Sequence, residues 1–383
     1  MTDSRSWRHF DWVLLIIVVL LVGYGVTMIY SATHNVEDTG VSEITTRRVS
    51  DSVTRQLLSA LIGLAVMIGV AAIDYRIWGG VPRIVYIVAL ALLAIALVLG
   101  QSQVGAVRRW ITFGAFDVQP AEIAKYLVVL VLAQYLASHE EQIDRLPVVL
   151  GAIGLVVLPT VMVLVQPNLS TAVLLLVVGL IMIFVAGIRW QYLAVVAAVG
   201  LGIVPVVWLV FRDYIEKEFA HVLPRLLVFA GLSSDPGVRF NLDQALTAIG
   251  SGGFVGKGFL NPSSLSQLHF LRVRHTDFIF SVIAEELGML GVLVLFALFV
   301  WLLFRLLRIA AISRDGFGRY IAIGFAMMIF FQAAVNIAMN LSLVPVAGLP
   351  LPFISYGGSA LVTLMSALGI VESVAMRHKK LEF

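Results

Sequence analysis

Long runs of apolar residues alternate with short polar connections along almost the whole chain. Each run holds about 18 to 30 residues, enough for a helix to cross a hydrocarbon layer of roughly 30 Å. The pattern therefore predicts an all-α polytopic membrane protein with about ten transmembrane helices. The predicted spans cover residues 12–31, 56–73, 82–101, 121–138, 146–165, 168–187, 190–211, 277–309, 317–343 and 355–376.

The polar connections indicate how the chain is organised. Residues 212–276, between spans seven and eight, form a segment too long for a simple connecting turn. Its length predicts a large extracellular loop with short helices on the membrane surface. No internal repeat or low-complexity linker is visible, so residues 1–383 are predicted to form a single transmembrane domain. The first run has no convincing cleavage site, which predicts a retained span and a mature chain that starts near Met1.

The composition agrees with a membrane protein and excludes several kinds of site. Of 383 residues, 60% are hydrophobic and 13% are charged, a balance that no soluble domain of this length needs to bury its core. The absence of cysteine excludes disulfides, iron–sulfur clusters and thiolate zinc sites. A net charge of +3 without a basic run gives no reason to expect nucleic acid. An anionic lipid headgroup is the more natural partner.

Arginine and lysine residues indicate which side of the membrane each connection occupies. With ten spans both termini share a side, and the termini and even-numbered loops carry more basic residues than the short odd-numbered loops. The positive-inside rule therefore predicts cytoplasmic termini. The connections rich in proline and glycine then face outward. Irregular backbone at membrane depth is tolerated only where protein buries it or water reaches it, so we expect the site in a cavity open to the outside.

Asp277 stands at the outer edge of the eighth span, close to Arg272, Arg274 and His275. An aspartate at this position can cap the N-terminus of the helix. A cap does not require the neighbouring cations, however, and at the wet end of the span the carboxylate is also placed to accept a proton from a substrate. Both interpretations stay open on the residues alone.

Carboxylates inside membrane spans are costly and mark either function or a structural partner. Glu285 and Glu286 lie within the eighth span, where they can bind polar groups of neighbouring helices or support the site. Glu122 and Lys125 follow Pro120 at the start of the fourth span, three residues apart. At this spacing they can form an ion pair on one helix face, or they can face the outer cavity and position a phosphate or a hydroxyl.

Two other segments resemble phosphate-binding features. Arg108 and Arg109 precede Trp110, where they are either a solvated loop feature, a headgroup anchor or a fork that binds phosphate oxygens. The stretch GSGGFVGKG, residues 250–258, resembles a phosphate loop, but its glycine spacing is wrong and a glycine follows the lysine. Its glycines are expected to allow tight turns or close approach to a ligand.

The connection between the last two spans, PVAGLPLPFISYGGSA, is crowded with prolines and glycines and predicts an extended or re-entrant wall. Ser355, Tyr356 and Ser359 offer hydroxyls there, and Asn336 and Asn340 place amides on one face of the span before it. Structural turns would explain part of the same pattern.

Several motifs occur together and in order over essentially the whole chain: IYSAT, RRWITFG, QPAEIAK, QPNLSTA, AIGSGGFVGKG, SQLHFLRVRHTDFIFSVIAEELG and NIAMNLSLVPVAGLPLPFISYGGSA. In this combination the sequence resembles the SEDS family (shape, elongation, division and sporulation). Arg274 before the histidine and the LPLPFISYGG stretch resemble its RodA branch more than its FtsW branch. Two positions depart from the family pattern, since Asn168 replaces an aspartate and Ala360 replaces a serine. No charged role is therefore carried over to residue 168.

The resemblance implies a peptidoglycan glycosyltransferase of the bacterial inner membrane that polymerises lipid II during cell elongation and shape maintenance. It implies Asp277 as the catalytic residue. The departing diphosphate needs cations, so a divalent cation, Mg²⁺ or Mn²⁺, is a candidate cofactor, with no organic cofactor expected. The residues expected to bind or support the substrate are Glu122, Lys125, Arg109, Gln119, Arg225, Arg274, His275, Ser355 and Tyr356, with Arg272 as a further candidate cation.

The resemblance also implies a class B penicillin-binding protein, a transpeptidase, as partner within the elongation machinery, with the active site on the extracytoplasmic side. Two other classes of function stay open: a transporter (flippase) of lipid-linked precursors, and a noncatalytic scaffold for a penicillin-binding protein. A transporter needs polar groups near the midplane with access from both sides, whereas the inner halves of these spans are apolar. A pure scaffold would not explain why Asp277, Glu122 and Lys125 are all predicted at the outer side of the membrane.

Overall fold

The computed structural model describes residues 6–34, 42–100, 110–113, 116–192, 194–196, 198–200, 202, 209, 212, 219, 222–232, 236–266 and 275–378. Helices dominate this part of the chain, and one short antiparallel hairpin joins β1 (Ile111–Phe113) to β2 (Phe116–Val118). The helices are α1 Trp12–Thr33, α2 Ser42–Ala72, α3 Arg76–Gly80, α4 Pro82–Leu99, α5 Pro120–Ser138, α6 Leu146–Val165, α7 Leu169–Val185, α8 Trp190–Gly200, α9 Leu223–Phe229, α10 Pro236–Gly252, α11 Ile279–Ile312, α12 Gly316–Asn340 and α13 Gly358–Met376.

The predicted all-α polytopic membrane fold is confirmed. Among the described residues, eight helices are long and apolar enough to cross a membrane, and α7 and α8 are shorter apolar helices at the positions of the sixth and seventh predicted spans. Most observed bounds lie within about three residues of the predicted ones. The second span differs most, because α2 begins at Ser42 whereas the predicted span begins at residue 56. The seventh predicted span, residues 190–211, is helical at the positions that the structure describes, among them 202 and 209. Most of residues 201–211 lie outside the described part of the chain.

Short polar residues and prolines start the helices where the apolar runs begin. Asp11 caps α1 and accepts from the N–H groups of Val13 and Leu14, each over 3.1 Å. Asn168, the residue that departs from the family pattern, caps α7 through its side-chain oxygen. Pro120 occupies the first turn of α5, where its missing N–H leaves no bond unmade and its fixed φ suits the helix.

Burial separates central helices from peripheral ones. In the most apolar window of each helix, 72% of the residues of α13, 67% of α5 and 56% of α12 are buried, against 22% for α4. Lipid tails are as apolar as leucine, so burial in a membrane bundle reports contact between helices. The site residues on α5 and α12 are therefore carried by the centre of the bundle.

An ionic cluster marks the end of the bundle opposite Asp277. The Asp11 carboxylate pairs with Arg305 Nε over 2.5 Å, and the Asp11 N–H donates to Glu372 Oε1 over 2.6 Å. These contacts bring the start of α1 together with the ends of α11 and α13. Because α11 has 34 residues, and each adds about 1.5 Å, its first residues and Asp277 lie at the other end.

The GSGGFVGKG stretch closes a break in α11. Gly288 has a φ of +63°, a conformation that favours glycine and interrupts the hydrogen bonds of the helix. The N–H groups of Lys257 and Gly258 donate to the carbonyls of Glu285 and Glu286 over 2.9 and 3.0 Å. The predicted tight turns agree with the positive φ of Gly253, Gly256 and Gly258. The close approach is to the backbone of α11, whereas the predicted approach to a ligand stays a prediction.

Gly252→Ala is expected to lower the thermal unfolding temperature of the detergent-solubilised protein. A Cβ at Gly252 would lie 1.9 Å from the Ala284 carbonyl oxygen, and overpacking of this kind costs about 1–3 kcal/mol. Gly250→Ala is the matched control on the same helix, because an added Cβ there meets nothing within 4 Å. The control should be neutral or stabilising by up to about 1 kcal/mol. Equal unfolding temperatures for the two variants would contradict this packing.

Candidate active site

Asp277 lies in the short turn before α11, and its carboxylate does not cap that helix. The N-cap of α11 is Phe278, which makes no side-chain capping bond. The capping interpretation of Asp277 is therefore wrong, since the helix begins two residues later. A Cβ added at Gly348 would lie 3.9 Å from Asp277 Oδ2. The carboxylate thus faces the connection between α12 and α13.

Two amides of α12 hold the backbone of Asp277. Asn340 Nδ2 donates to the Asp277 carbonyl over 3.0 Å, and Asn336 Nδ2 donates to it over 3.2 Å. Asn340 Oδ1 accepts in turn from the hydroxyl of Ser281 over 2.7 Å. Both asparagines are fully buried, so these bonds lie in a low-dielectric environment where they are strong. The predicted amide face of this span is confirmed, and it fixes the position of Asp277.

The two residues before Asp277 are held by residues 341–357, the connection that we term the outer wall. The Tyr356 N–H donates to the His275 carbonyl over 2.9 Å, and the two rings lie edge to face with centroids 5.7 Å apart. Ser355 Oγ donates to the Thr276 carbonyl over 2.6 Å. The structure therefore brings Ser355, Tyr356 and His275 together around the backbone of Asp277.

Side-chain amides of α12 also form hydrogen bonds to the outer wall. Asn336 Nδ2 donates to the Leu349 carbonyl over 2.7 Å, and Gln332 Nε2 donates to the Pro350 carbonyl over 2.9 Å. Proline-rich backbone cannot satisfy its own carbonyls in a helix, so side-chain amides supply the donors that membrane burial requires. The wall and Asp277 are consequently anchored to one helix face.

Glu122 and Lys125 form an ion pair inside the protein. Lys125 Nζ lies 2.8 Å from Glu122 Oε2, and the two side chains are 1% and 5% exposed. Lys125 Nζ also donates to Gln332 Oε1 over 2.8 Å. A cavity of about 20 Å³ beside the pair is lined partly by the wall residues Leu351 and Ser355, which is room for about one water. The ion-pair interpretation is confirmed. Glu122 also lines this cavity together with the wall residues, and a role of the pair in positioning a phosphate or a hydroxyl stays a prediction.

Burial and Arg225 act in opposite directions on the pKa of Asp277. Desolvation raises the pKa of the Asp277 carboxyl above its ordinary value, and the Arg225 guanidinium opposes that rise. Arg225 lies on α9 and donates from Nη1 to the Val346 carbonyl over 3.4 Å. The structure therefore places this predicted cation on the outer wall, near enough to the carboxylate to act on it electrostatically.

Of the four other predicted site residues, the structure describes only Gln119. Arg109, Arg272 and Arg274 lie outside the described residues. Gln119 precedes α5 as its N-cap and makes no side-chain capping bond. Within the described ranges no group of three or more His, Asp or Glu side chains could hold a metal ion, and the divalent cation stays a prediction.

Glu285 and Glu286 are explained by neighbouring segments. Glu285 accepts from Lys257 Nζ over 2.7 Å and from the Ser266 N–H over 3.0 Å. Glu286 accepts from the Ser31 hydroxyl on α1, over 2.7 and 2.6 Å to its two oxygens. Of the two interpretations left open by the sequence, hydrogen bonding to neighbouring segments accounts for both buried carboxylates.

Gln332 was missed by the sequence analysis, although it bridges Lys125 and the outer wall. A signal existed, because Gln332 precedes Asn336 by four residues and thus shares a helix face with it and with Asn340. An isolated glutamine in an apolar span is ambiguous, however, until its partner is known. That partner lies 207 residues away in sequence.

Comparison with known families decides where this architecture belongs. The family model for FtsW, RodA and SpoVE, described as cell cycle proteins, matches residues 11–380. The chain belongs to this family. The predicted SEDS membership is therefore confirmed. The peptidoglycan glycosyltransferase MrdB of Escherichia coli (strain K12) is 36% identical to this SEDS chain over 392 residues, covering 100% of this chain and 99% of that protein.

Two solved structures are similar to this SEDS protein over nearly its full length. The crystal structure of the rod shape determining protein RodA from Thermus thermophilus matches with a TM-score of 0.68 and 29% identity, over 97% of this chain and 98% of that one. A chain of a peptidoglycan synthase complex that coordinates polymerization and crosslinking matches with a TM-score of 0.76 and 29% identity, over 96% and 97%. Both support the predicted RodA-type fold.

Proposed function

We propose that this SEDS protein is a peptidoglycan glycosyltransferase that polymerises lipid II into β-1,4-linked glycan strands during cell elongation, with Asp277 as its catalytic residue. The enzyme class follows from family membership and from the similarity to MrdB over the whole chain. One observation carries the role of Asp277: its carbonyl is fixed by two buried amides while its carboxylate is left to face the outer wall. A general base needs this kind of fixed position.

The proposed reaction joins two lipid-linked glycans. The C4 hydroxyl of the acceptor's terminal GlcNAc attacks the anomeric carbon of the donor, the bond to the diphosphate breaks, and the configuration inverts. The Asp277 carboxylate accepts the hydroxyl proton as the new bond forms, which makes the oxygen a better nucleophile. The bonding electrons leave with the polyprenyl diphosphate. Atoms and charge then balance with one proton on Asp277 and one additional negative charge on the diphosphate.

The proposed leaving group requires positive charge nearby. Arg225 lies beside Asp277 and is the described cation best placed for this role, and Arg109, Arg272 and Arg274 remain candidates. A divalent cation would neutralise the developing charge on the diphosphate when bound. Magnesium is commonly held by few protein carboxylates together with substrate phosphates, so the diphosphate itself would supply its principal ligands.

The proposed orientation places both termini in the cytoplasm and the active site on the extracytoplasmic side of the inner membrane. The excess of basic residues at the termini and even-numbered loops supports it. The cluster of Asp11, Arg305 and Glu372 lies at the end opposite Asp277, which agrees with termini and site on different sides. Lipid tails would reach the site sideways from the bilayer through grooves between helices.

The proposed partner is a class B penicillin-binding protein of the elongation machinery. The similarity to a chain of a peptidoglycan synthase complex supports this proposal. Such a transpeptidase would cross-link the glycan that this protein makes, so catalysis and partner binding are compatible. A purely noncatalytic scaffold leaves the Asp277 carboxylate, carried on a fixed backbone, without a role.

The deciding experiment reconstitutes the full-length protein with a class B penicillin-binding protein in liposomes, adds fluorescent lipid II and a divalent cation, and separates the products on a gel. Glycan polymer is the expected product. A parallel assay measures whether labelled lipid II moves between leaflets. Lipid II movement without polymer would favour the flippase, and neither activity with a stable complex would favour the scaffold.

The raised pKa of Asp277 predicts the pH dependence of polymerisation. Only the ionised carboxylate can accept a proton, so the rate should fall as the pH drops through its pKa. Burial raises the pKa of Asp277 above the ordinary 3.8. The acid limb of the pH–rate profile, where the rate falls with decreasing pH, should therefore have its midpoint above pH 3.8. Arg225→Gln removes the opposing cation and should shift the limb to higher pH. Arg239→Gln, an exposed arginine of α10, is the control, and an acid limb that stays in place in Arg225→Gln would contradict the assignment.

A further inference from the structure

Three amides spaced four residues apart line one face of α12: Gln332, Asn336 and Asn340. All three are buried. Asn336 and Asn340 reach Asp277, and Asn336 also reaches the wall. Gln332 differs from the other two because its partner on the far side is the ammonium of Lys125. One amide therefore connects the buried ion pair of α5 to the wall.

The chemistry of the two partners fixes the orientation of Gln332. An ammonium has only donors, so the oxygen of the amide must face Lys125, and a carbonyl only accepts, so the nitrogen must face Pro350. Both contacts have the distances of good hydrogen bonds, 2.8 and 2.9 Å. Losing either partner would leave a buried donor or acceptor unsatisfied.

Lys125 is placed to act on Gln332 rather than on a substrate. Its side chain is 1% exposed, and its ammonium is bound by Glu122 and Gln332 within hydrogen-bond distance. The small cavity beside the pair is lined by Glu122 and Gln332 but not by Lys125. A buried charge pair is costly in a membrane protein and marks a role.

The outer wall needs such an anchor because part of it is strained. Phe353 has a φ of +66°, a left-handed conformation that costs a side-chain-bearing residue roughly 1–2 kcal/mol. Strained residues persist only where the surroundings over-determine them. Pro350, three residues earlier, is held by Gln332, and Ser355, two residues later, binds the backbone beside Asp277.

We infer that Gln332 is a positioning residue through which the Glu122–Lys125 pair sets the outer wall and, by way of Ser355 and Tyr356, the backbone of Asp277. The inference rests on the proposed polymerase function for its effect on rate, but the coupling of the pair to the wall is a property of the structure. Lys125 then supports catalysis without contacting the diphosphate.

The first test is a cycle of polymerisation rates on lipid II, with the full-length protein and its penicillin-binding partner. Gln332→Met keeps the shape and removes both hydrogen bonds, and Glu122→Gln with Lys125→Met removes the pair without leaving a buried charge. Each change alone should lower the rate by at least about tenfold, since each removes a charge-assisted bond. Combined, they should cost less than about twofold beyond Gln332→Met. If the combined variant instead loses at least another tenfold in polymerisation rate beyond Gln332→Met, Lys125 acts on the substrate itself. That result would overturn the inference.

The second test needs no activity and uses the absence of cysteine from the chain. Leu351→Cys places a thiol at a wall position that is 1% exposed, and its labelling rate by a maleimide is measured in detergent. Gln332→Met, and the neutralised pair, should each raise that rate about tenfold. Ala152→Cys is buried on α6, a helix that packs against α4, α5 and α7, and should stay protected. Val255→Cys, which is 71% exposed, should label equally in all backgrounds.

The outcomes separate the inference from the proposed function. Faster labelling at position 351 alone supports the inference. Unchanged labelling there, or an equal rise at position 152, would overturn it, because the wall would not depend on Gln332 or the whole bundle would be loosened. Absence of polymer from the wild-type protein would overturn the proposed function and the effect on rate, while the labelling result would still decide whether the pair holds the wall.

Discussion

Asp277→Asn is expected to lower the initial rate of glycan polymerisation by about 100-fold to 10,000-fold, because a positioned general base contributes about that much. The substitution keeps the size of the side chain and the carbonyl that Asn336 and Asn340 bind. It removes only the capacity to accept a proton as an anion. The rate is measured on fluorescent lipid II with the reconstituted complex, at a pH above the acid limb of the wild-type protein.

The matched control is Asp243→Asn on α10, an exposed aspartate in the predicted outer loop whose ion pair with Arg239 spans 4.0 Å. Its polymerisation rate should equal that of the wild type. Both variants should retain the unfolding temperature and the partner binding of the wild type, because Asp277 does not cap α11. A polymerisation rate for Asp277→Asn within a few-fold of the wild type would assign proton transfer to another group.

The membrane helices could be predicted because each is encoded locally. An apolar run of sufficient length forms its own backbone hydrogen bonds in lipid whatever its neighbours are. Pro120 and Asn168 mark helix starts for equally local reasons. The break in α11 at Gly288 could not be predicted in this way, because the groups that compensate it come from the loop of residues 250–258.

For the candidate site as well, locally encoded features could be predicted, whereas features that depend on distant segments could not. The residue type and membrane-edge position of Asp277 indicated its chemistry, and the spacing of Glu122 and Lys125 indicated their ion pair. Neither pattern could show that the pair is buried beneath the outer wall, since burial depends on how α5 packs against α12 and the wall. The capping interpretation of Asp277 was wrong for a related reason: Asn336 and Asn340, about 60 residues away, hold the turn and leave the helix to begin at Ile279.

Substitution of one member of the buried Glu122–Lys125 pair is expected to lower the stability strongly. Comparison with the double variant distinguishes a role of the pair in folding from a role in activity. Glu122→Gln leaves the Lys125 ammonium buried without a counter-charge, and removing one partner of a buried pair costs about 3–5 kcal/mol. Adding Lys125→Met removes the stranded charge and should restore most of the free energy of unfolding. Denaturant unfolding in detergent measures both. Disruption of the exposed Arg239–Asp243 pair, by Asp243→Asn, should cost no more than about 1 kcal/mol.

Equal destabilisation of Glu122→Gln and of the double variant would contradict this expectation, because the loss would then come from altered packing instead of an unpaired charge. If the double variant recovers its stability but not its polymerisation rate, the two charges are not required for folding. Their cost to the bundle is then retained for the hydrogen bond from Lys125 to Gln332. That bond connects the ion pair to the outer wall and, through it, to the backbone of Asp277. The ion pair would then be required for activity, through Gln332 on α12, and not for stability.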